Sequence, residues 1–356
     1  MSRRTIVLMS PGETAENDNP FVDLLIRHLP ADITVRSFSW KSAFFSRYDI
    51  LHIHWPEHIL SAGSPMKRRI KSALFLGLMV RNRLMASNLR TVHNLRPHEE
   101  AARLTRLALK SWERSCRANV FLSRAGESAG SRPAPGALAE VVPHGDYRPL
   151  VDRLCRPPKD RVEGRLLAFG YLRPYKGLEQ LIAAFHDVPV EQGLTLRITG
   201  APMPKSYGDE LRILAAGDER ISMALGRQTD EDLVDEIMTA SAIVLPYKQV
   251  YNSGAALLAL TLSRPLIVTD SPTMKELGDE VGDVWVTRLP RWDAKSLSDA
   301  QGIRIPAEAS PDLRGREWSS LSEQYAVLYR GLRQSRNLFG RRRVDDRGHR
   351  PKTDIT

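Results

Sequence analysis

The sequence predicts an α/β protein made of two Rossmann-like, doubly wound domains. The chain has 356 residues, which exceeds the roughly 100–200 residues of one typical domain. Short apolar runs alternate with helical patterns through both halves, as expected for parallel sheets that carry helices on both faces. Residues 152–164 separate the halves, because they are rich in proline and charge and show no apolar period.

The first half contains short apolar runs that we interpret as strands of one sheet. They lie at residues 5–9, 33–38, 49–54, 89–93, 120–123 and 141–143. Helical periodicity covers residues 21–29, 67–86 and 99–118. We therefore predict that residues 1–152 form the first domain.

The second half repeats this alternation of strands and helices. Predicted strands lie at residues 166–169, 194–199, 221–225, 242–245 and 265–269. Predicted helices lie at residues 178–185, 231–239, 254–262 and 317–332. Because residues 333–356 are basic and lack an apolar face, we predict a second domain at 165–332 and a disordered tail after it.

The composition is that of a folded protein in a reducing compartment. Hydrophobic residues make up 42% of the chain, and the two cysteines are too few for a disulfide framework. The opening apolar stretch, Thr5–Met9, is too short for a secretory signal. The longest apolar run, residues 73–80, falls short of the ~20 residues that a membrane span needs. We therefore expect a cytoplasmic protein that is soluble or peripheral to the inner face of the cell membrane.

Positive charge is concentrated in the first half. The net charge is +10, and residues 1–156 hold 24 Lys and Arg against 14 Asp and Glu. One predicted helix carries several of these cations around the apolar run 73–80, namely Lys67, Arg68, Arg69, Lys71, Arg81 and Arg83. A basic amphipathic helix is typical of binding to anionic membrane surfaces. An ordinary core helix with a charged outer face would show the same residues, so both interpretations remain open.

The strongest site motif lies between a predicted strand and a predicted helix at residues 170–177. Ligands of doubly wound sheets bind beyond the carboxyl ends of the strands, which would place the site in a central cleft between the domains. Gly170 and Gly177 bracket the motif, and a helix that starts after such a loop offers free amides to phosphate. Arg173 and Lys176 add cations suited to a diphosphate. The competing interpretation is a basic loop in solvent.

A second motif also follows a strand and precedes an apolar helix. It contains Tyr247, Lys248, Asn252, Ser253 and Gly254. Small polar side chains and exposed amides at this position suit an anion. We therefore assign this motif and the first motif to one site, which would bind the diphosphate of a donor substrate. Ser253 is also a plausible helix cap, and the two roles are compatible.

Polar clusters at two strand ends of the first half predict an acceptor site and a general base. One contains His54, Trp55 and Glu57; the other contains His93, Asn94, His98 and Glu99. His52 is interpreted as structural. The candidate bases are His54, Glu57, His98 and Glu99, and we favour Glu57 because it follows Trp55-Pro56 just beyond a strand end. The spacing offers no metal motif, so no metal is expected.

Several stretches together resemble one enzyme family in consistent order along the chain. They lie at residues 19–21, 46–57, 93–99, 144–147, 169–177, 245–249 and 252–254. The chain resembles the bacterial GDP-mannose:glycolipid β-mannosyltransferases of xanthan-type exopolysaccharide assembly, which have the GT-B fold. The resemblance implies an inverting transfer without metal or cofactor, from a GDP-sugar to a polyprenyl-diphosphate-linked oligosaccharide. Asn19, Trp55, His93 and Asn94 are then assigned to acceptor binding.

One departure separates the chain from the large retaining family of the same fold. That family shows two glutamates eight residues apart, where this sequence has Val250 and Leu258. The departure argues against a mechanism that retains the anomeric configuration of the transferred sugar. It also leaves the ribose of the donor without its usual carboxylate partner.

Other functions stay open on the sequence alone. Within the same fold they are a transferase that uses UDP-glucuronate or UDP-glucose, and a nucleotide-sugar epimerase. A nucleic-acid-binding protein is disfavoured despite the basic charge, because zinc-finger and RNP patterns are absent from the sequence.

Overall fold

The fold was examined in a computed structural model, which describes residues 3–11, 20–93, 102–130, 133–301 and 309–348, with side chains to Arg336. The described residues contain two six-stranded sheets, and every strand pairing in both sheets is parallel. This confirms the predicted fold class of two doubly wound α/β units.

The strands are short and mostly buried, as parallel strands covered on both faces should be. In chain order they are β1 (Thr5–Ser10), β2 (Ile33–Ser37), β3 (Ile50–Ile53), β4 (Ser87–Val92), β5 (Cys116–Phe121), β6 (Leu138–Val141), β7 (Arg165–Phe169), β8 (Thr195–Gly200), β9 (Ile221–Leu225), β10 (Ala242–Leu245), β11 (Leu266–Thr269) and β12 (Val286–Leu289).

Helices connect most of the strands, as crossovers between parallel strands require. In chain order they are α1 (Pro20–His28), α2 (Trp40–Phe45), α3 (Pro56–Ser61), α4 (Pro65–Met85), α5 (Arg103–Ser115), α6 (Arg124–Ala129), α7 (Arg148–Leu154), α8 (Leu178–His186), α9 (Ser206–Ala215), α10 (Asp230–Thr239), α11 (Gly254–Thr261), α12 (Pro272–Val281), α13 (Ala294–Gln301) and α14 (Trp318–Gly348). No helix in the described part of the chain is long and apolar enough to cross a membrane.

The chain divides into two compact units, and the division differs from the predicted boundaries. The first unit consists of Met1–Leu122, Gly126–Pro143 and Trp318–Thr356; the second consists of Ser123–Ala125 and His144–Glu317. The sequence placed the linker at 152–164 and the last helix in the second domain. In the structure α14 belongs to the first unit instead, so the first unit is built from both ends of the chain.

Specific contacts explain why α14 joins the first unit. The Ser322 hydroxyl donates to the Leu25 carbonyl oxygen at 3.2 Å, and Arg330 forms an ion pair with Asp32 at 2.8 Å. Arg333 donates to Thr5 Oγ1 at 3.0 Å, within the segment that the sequence predicted to be a disordered tail. The partners of each arginine contact lie far apart in sequence, so local periodicity did not reveal these contacts. The helix continues to Gly348.

The first sheet has the strand order β2-β1-β3-β4-β5-β6. Its core is apolar and includes Leu8, Leu51, Phe75 and Trp112, all fully buried. The strand order reverses direction between β1 and β3. Loops that follow the strands at such a switch point form the usual ligand site of an open parallel sheet, and the loop after β3 begins at His54.

The second sheet has the order β12-β11-β10-β7-β8-β9, with its switch point between β7 and β10. Leu166, Phe185, Leu196 and Val244 lie in its buried core. The predicted donor motifs are the loops that follow β7 and β10, so both lie at the switch point of one sheet.

One helix ends before its predicted last residue, because a strand follows it without a loop. The sequence predicted a helix over residues 99–118, whereas α5 ends at Ser115 and β5 begins at Cys116. Trp112 and Cys116 are both buried, so the apolar pattern continues across the change from helix to strand.

The two loops of the second unit that carry the predicted donor motifs are hydrogen-bonded to each other. The Lys248 amide donates to the Tyr175 carbonyl oxygen at 3.0 Å, and Gln180 Nε2 donates to the Pro246 carbonyl oxygen at 2.7 Å. Gly177 has a φ of +70°, and a Cβ built on it would overlap the Pro246 carbonyl oxygen. Glycine is therefore required where the loops meet.

We expect Gly177→Ala to lower the free energy of unfolding by ~2–4 kcal/mol, from left-handed strain plus the clash with Pro246. Gly193→Ala is the matched control, because Gly193 has a φ of +64° and nothing within 4 Å of its Cβ position. The control should lose only ~1–2 kcal/mol. Urea unfolding of both variants measures the difference, and equal losses would contradict the loop contact.

Candidate active site

The loop after β7 carries the two cations that the sequence assigned to the donor. Gly170 has a positive φ, the turn Pro174–Lys176 follows, and α8 begins at Leu178 directly after Gly177. Lys176 is only 9% exposed. Its Nζ atom lies 3.5 Å from the Phe169 carbonyl oxygen and 5.2 Å from the Tyr247 ring centroid.

Burial lowers the pKa of Lys176 to about 8, with the nearby Arg173 charge as a second cause. Arg173 itself is half-buried, and its guanidinium contacts the Met203 sulfur at 3.7 Å. Within the described residues, no carboxylate lies within 4 Å of either cation. A buried ammonium without a protein counterion favours an anionic ligand, since a bound anion would supply the charge that the protein omits.

The loop after β10 leads into α11, whose first turn Ser253 caps. Its Oγ accepts from the Ala256 amide at 3.1 Å, so the capping interpretation is correct. The amides of the first turn before Ala256 still lack partners within the helix, so the cap leaves donors for an anion. Tyr247 is buried, Asn252 is half-buried, and Gly254 opens the helix.

Lys248 differs from the other donor-motif cations. It is exposed, and its ammonium lies 3.8 Å from the Glu179 carboxylate. An exposed pair of this kind contributes little free energy and leaves the cation partly neutralised. Lys248 is therefore a weaker candidate for binding an anionic donor than Arg173 or Lys176.

His52 has the structural role expected from its place in β3. It is fully buried, and both ring nitrogens are bound: Nδ1 to the Tyr329 hydroxyl at 2.8 Å and Nε2 to the Thr91 hydroxyl at 2.9 Å. Thr91 Oγ1 also bonds to the Tyr325 hydroxyl at 3.1 Å. These bonds hold α14 against β3 and β4. Neither tyrosine was among the predicted site residues, although their spacing of four residues places them on one helix face.

His54 and His93 follow β3 and β4 and contact each other. His54 Nδ1 lies 3.0 Å from His93 Nε2, and Trp55 stacks on the His93 ring with centroids 4.1 Å apart. The sequence predicted two clusters at neighbouring strand ends, and the structure brings these three residues together. Burial lowers the pKa of His54 to about 3, so the ring is neutral at physiological pH and a poor proton acceptor.

Glu57 lies in the first turn of α3, two residues beyond Trp55. Its side chain is half-buried, and burial raises the pKa of its carboxyl group, although its own backbone amide and the charges of His58 and Arg90 act in the opposite direction. A raised pKa brings the carboxylate closer to what a general base needs.

Four predicted site residues lie outside the described residues: Asn19, Asn94, His98 and Glu99. Among the described residues, no group of three or more His, Cys, Asp or Glu is arranged to hold a metal ion.

Known proteins are similar to this chain in sequence and in fold. The family model for glycosyl transferases group 1 matches residues 163–300. A GDP-mannose:glycolipid 4-β-D-mannosyltransferase from Xanthomonas campestris pv. campestris is 34% identical over 330 residues, which is 92% of each chain.

Solved structures resemble the fold at lower identity. AviGT4, a glycosyltransferase involved in avilamycin A biosynthesis, has a TM-score of 0.56 and 16% identity, and the match covers 93% of this chain and 98% of that one. Sucrose-phosphate synthase from Thermosynechococcus elongatus has the same TM-score and identity, with 83% and 76% of the two chains covered.

The 34% identity over nearly the whole chain decides the family, and the two parallel sheets agree with it. The chain belongs to the bacterial GDP-mannose:glycolipid 4-β-D-mannosyltransferase family and is a glycosyltransferase of the GT-B fold.

Proposed function

We propose that the protein transfers mannose from GDP-mannose, with inversion, to a polyprenyl-diphosphate-linked oligosaccharide during exopolysaccharide assembly. The observation that carries the proposal is the pair Arg173 and Lys176 at the switch point of the second sheet, two cations that no carboxylate of the described ranges neutralises. The name of the Xanthomonas relative supports the choice of GDP-mannose and a glycolipid acceptor.

Arg173 and Lys176 are proposed to bind the donor diphosphate together with the first amides of α11. As the bond to the sugar breaks, negative charge grows on the leaving nucleotide diphosphate. Fixed cations in a partly buried site stabilise that charge more in the transition state than in the ground state. Tyr247, Asn252 and Ser253 complete the proposed donor site.

Glu57 is proposed to be the general base of the transfer. Inversion by direct displacement requires one group to take the proton of the acceptor hydroxyl as that oxygen attacks the anomeric carbon. His54 is neutral but too weakly basic, because its ring is buried. The carboxylate of Glu57 is the strongest remaining base of its cluster, since burial raises its pKa.

Trp55 and His93 are proposed to contact the acceptor sugar. Trp55 is half-buried, lies two residues before Glu57 in the chain and stacks on the buried His93 ring. Aromatic rings pack against the apolar faces of sugars while neighbouring polar groups bind the hydroxyls.

The glycolipid acceptor also requires access to a membrane, and α4 is proposed to supply it. One face of α4 packs inward through Ser72, Phe75, Leu78, Met79 and Asn82. The opposite face is exposed and apolar as well, with Val80 and Leu84 each 66% exposed. Its members follow at alternate spacings of four and three residues: Met66, Ile70, Ala73, Gly77, Val80 and Leu84.

Only part of the predicted basic set of α4 is available to lipid headgroups. Lys67, Arg68, Arg69 and Arg83 are exposed, and Lys67 and Arg69 flank the start of the apolar stripe. Arg68 lies two turns before the inward-facing Phe75 and therefore on the other face of the helix. Lys71 instead donates to the Ala62 carbonyl oxygen at 2.9 Å, and Arg81 donates to the carbonyl oxygens of Phe44 and Ser46. An apolar stripe flanked by cations suits insertion into an anionic bilayer surface.

We expect Arg173→Ala and Lys176→Ala each to weaken GDP binding by at least about tenfold, because each removes a charge-assisted hydrogen bond. Titration calorimetry with GDP, and with UDP as the alternative nucleotide, measures the loss. Normal GDP affinity in both variants would contradict the assignment, and tighter binding of UDP would favour another donor.

The pH dependence of GDP binding provides the control for Lys176. The ammonium of the unliganded protein loses its proton as the pH rises through about 8. Since GDP binds the protonated form better, affinity should be highest below that pH and fall toward about pH 9.5. Lys176→Arg stays charged over this range and should largely abolish the fall.

We expect Glu57→Gln to lower turnover of GDP-mannose with a glycolipid acceptor by about 10²-fold or more while GDP binding stays unchanged, because the amide cannot accept the proton. Glu140→Gln, which removes an exposed carboxylate of β6 in the same unit, is the matched control and should keep its turnover. Normal turnover in Glu57→Gln would assign the base to another residue.

We expect the combined variant Ile70→Ser, Val80→Ser and Leu84→Ser to bind anionic vesicles at least about tenfold more weakly, even at high salt, because it loses apolar insertion. Lys67→Gln, Arg68→Gln and Arg69→Gln together should weaken binding mainly at low salt.

Exposed apolar residues of the second unit provide the control for that experiment. Val190→Ser and Ile213→Ser remove side chains that are also strongly exposed, and vesicle binding should not change. Co-sedimentation with vesicles of phosphatidylglycerol and phosphatidylcholine measures all the variants. Equal binding by the α4 variants and the unsubstituted protein would make α4 an ordinary surface helix.

A further inference from the structure

The segment His144–Gly145–Asp146–Tyr147 has no role in the function proposed above, yet its side chains lie against the start of α11. The Tyr147 hydroxyl oxygen is 2.6 Å from the position that a Cβ on Gly254 would occupy. His144 Nε2 is 3.7 Å from the same position. Gly254 is the first residue of α11, so both polar atoms border the first turn of that helix.

The direction of the helix places the Tyr147 hydroxyl on the side of the free amides. Every Cα–Cβ bond of an α-helix is tilted toward the amino terminus, so an atom next to the Cβ position of Gly254 lies toward that end. The other end of the tyrosine is fixed as well, because the Tyr147 amide donates to Thr261 Oγ1 at 3.1 Å. The Tyr147 side chain therefore runs along α11 from its last residue to its first.

The hydrogen bonds around His144 set the direction in which Tyr147 donates. His144 Nδ1 lies 2.7 Å from the Gly145 carbonyl oxygen, which accepts only, so Nδ1 carries the proton. Nε2 must then accept, and the Tyr147 hydroxyl donates to it at 3.4 Å, a long bond. Burial lowers the pKa of His144 to about 4 and raises the pKa of Tyr147, so a neutral imidazole faces a protonated phenol.

The segment is held by a buried arginine. Arg316 donates to the His144 carbonyl oxygen at 2.8 Å, and the Asp146 amide donates to the Arg316 carbonyl oxygen at 3.0 Å. Glu280 binds the same guanidinium at 2.6 Å. These bonds fix the backbone, so the hydroxyl hydrogen of Tyr147 can change its acceptor by rotation about one bond while the oxygen stays in place.

We propose that Tyr147 is a donor-binding residue whose hydroxyl turns from His144 to a diphosphate oxygen when the donor occupies the start of α11. The proposal rests on the proposed function, since it takes the diphosphate to be held by Arg173, Lys176 and the amides of α11. Tyr147 then adds a neutral hydrogen-bond donor to the leaving group, and His144 holds the hydroxyl in place while the site is empty. Gly254 is required because any side chain there would displace the hydroxyl.

The first test compares binding of GDP and guanosine to Tyr147→Phe by titration calorimetry. Loss of a hydrogen bond to a charged oxygen should weaken GDP binding by about tenfold or more, with guanosine affinity unchanged. Tyr207→Phe is the matched control, because it removes another buried phenol from the second unit, and it should bind GDP normally.

The second test checks the placement of the hydroxyl without any ligand. Gly254→Ala should lower the unfolding temperature in the unsubstituted protein, because its Cβ meets the hydroxyl oxygen. In the Tyr147→Phe background the nearest remaining ring atom is at 3.7 Å, an ordinary contact, so the same change should be neutral or stabilising.

Two results would overturn the proposal: unchanged GDP affinity in Tyr147→Phe, or an equal loss of GDP and guanosine affinity. An equal effect of Gly254→Ala in both backgrounds would overturn the placement of the hydroxyl. Failure of the proposed function looks different, because the unsubstituted protein would then bind neither GDP nor UDP.

Discussion

The parallel pairing of every described strand is the constraint on which both units depend. Parallel strands all end at the same edge of a sheet, so the loops that follow them collect at that edge. In the second unit this brings together the loops after β7 and β10, which are far apart in sequence. A backbone hydrogen bond from the Lys248 amide to the Tyr175 carbonyl oxygen joins the two loops directly.

Burial then determines what the side chains at these edges can do chemically. Lys176 keeps a usable positive charge although burial lowers its pKa to about 8. His54 loses its basicity through the same effect, because its pKa falls to about 3. Glu57 becomes more basic than an exposed carboxylate. One physical cause, desolvation of the charged form, thus gives three side chains different chemistry: a cation proposed to bind an anion, a neutral imidazole ring and a candidate base.

The fold class and the positions of the loops after β7 and β10 could be predicted because they depend on local patterns. Apolar runs separated by helix periods identify a parallel sheet, and Gly170 and Arg173 stand directly after such a run. The return of α14 to the first unit could not be predicted, because Tyr325 and Tyr329 meet Thr91 and His52 across most of the chain. The predicted boundaries accordingly differ at 144–152 and at 318–332.

For a related reason, the sequence could not predict the pKa of Glu57. It also could not predict which face of α4 is buried. A pKa shift depends on the neighbours that bury a group, and those neighbours come from other parts of the chain. In α4 apolar residues occupy two opposite faces, so periodicity alone does not say which face is covered. The structure decides this, with Phe75 and Leu78 buried and Val80 and Leu84 exposed.

The two units handle charge in opposite ways, and this difference agrees with the two halves of a displacement reaction. Among its described residues the second unit places no carboxylate within ion-pair distance of Arg173 or Lys176, at the cost of burying an ammonium. The first unit keeps His52 and His54 neutral through burial. A leaving diphosphate needs positive charge that is already in place, whereas removing a proton from a hydroxyl needs a base whose pKa is not strongly lowered by its neighbours. In the proposed mechanism burial raises the pKa of Glu57 more than the charges of His58 and Arg90 lower it, and the neutral rings of His52 and His54 add no further charge that would lower it.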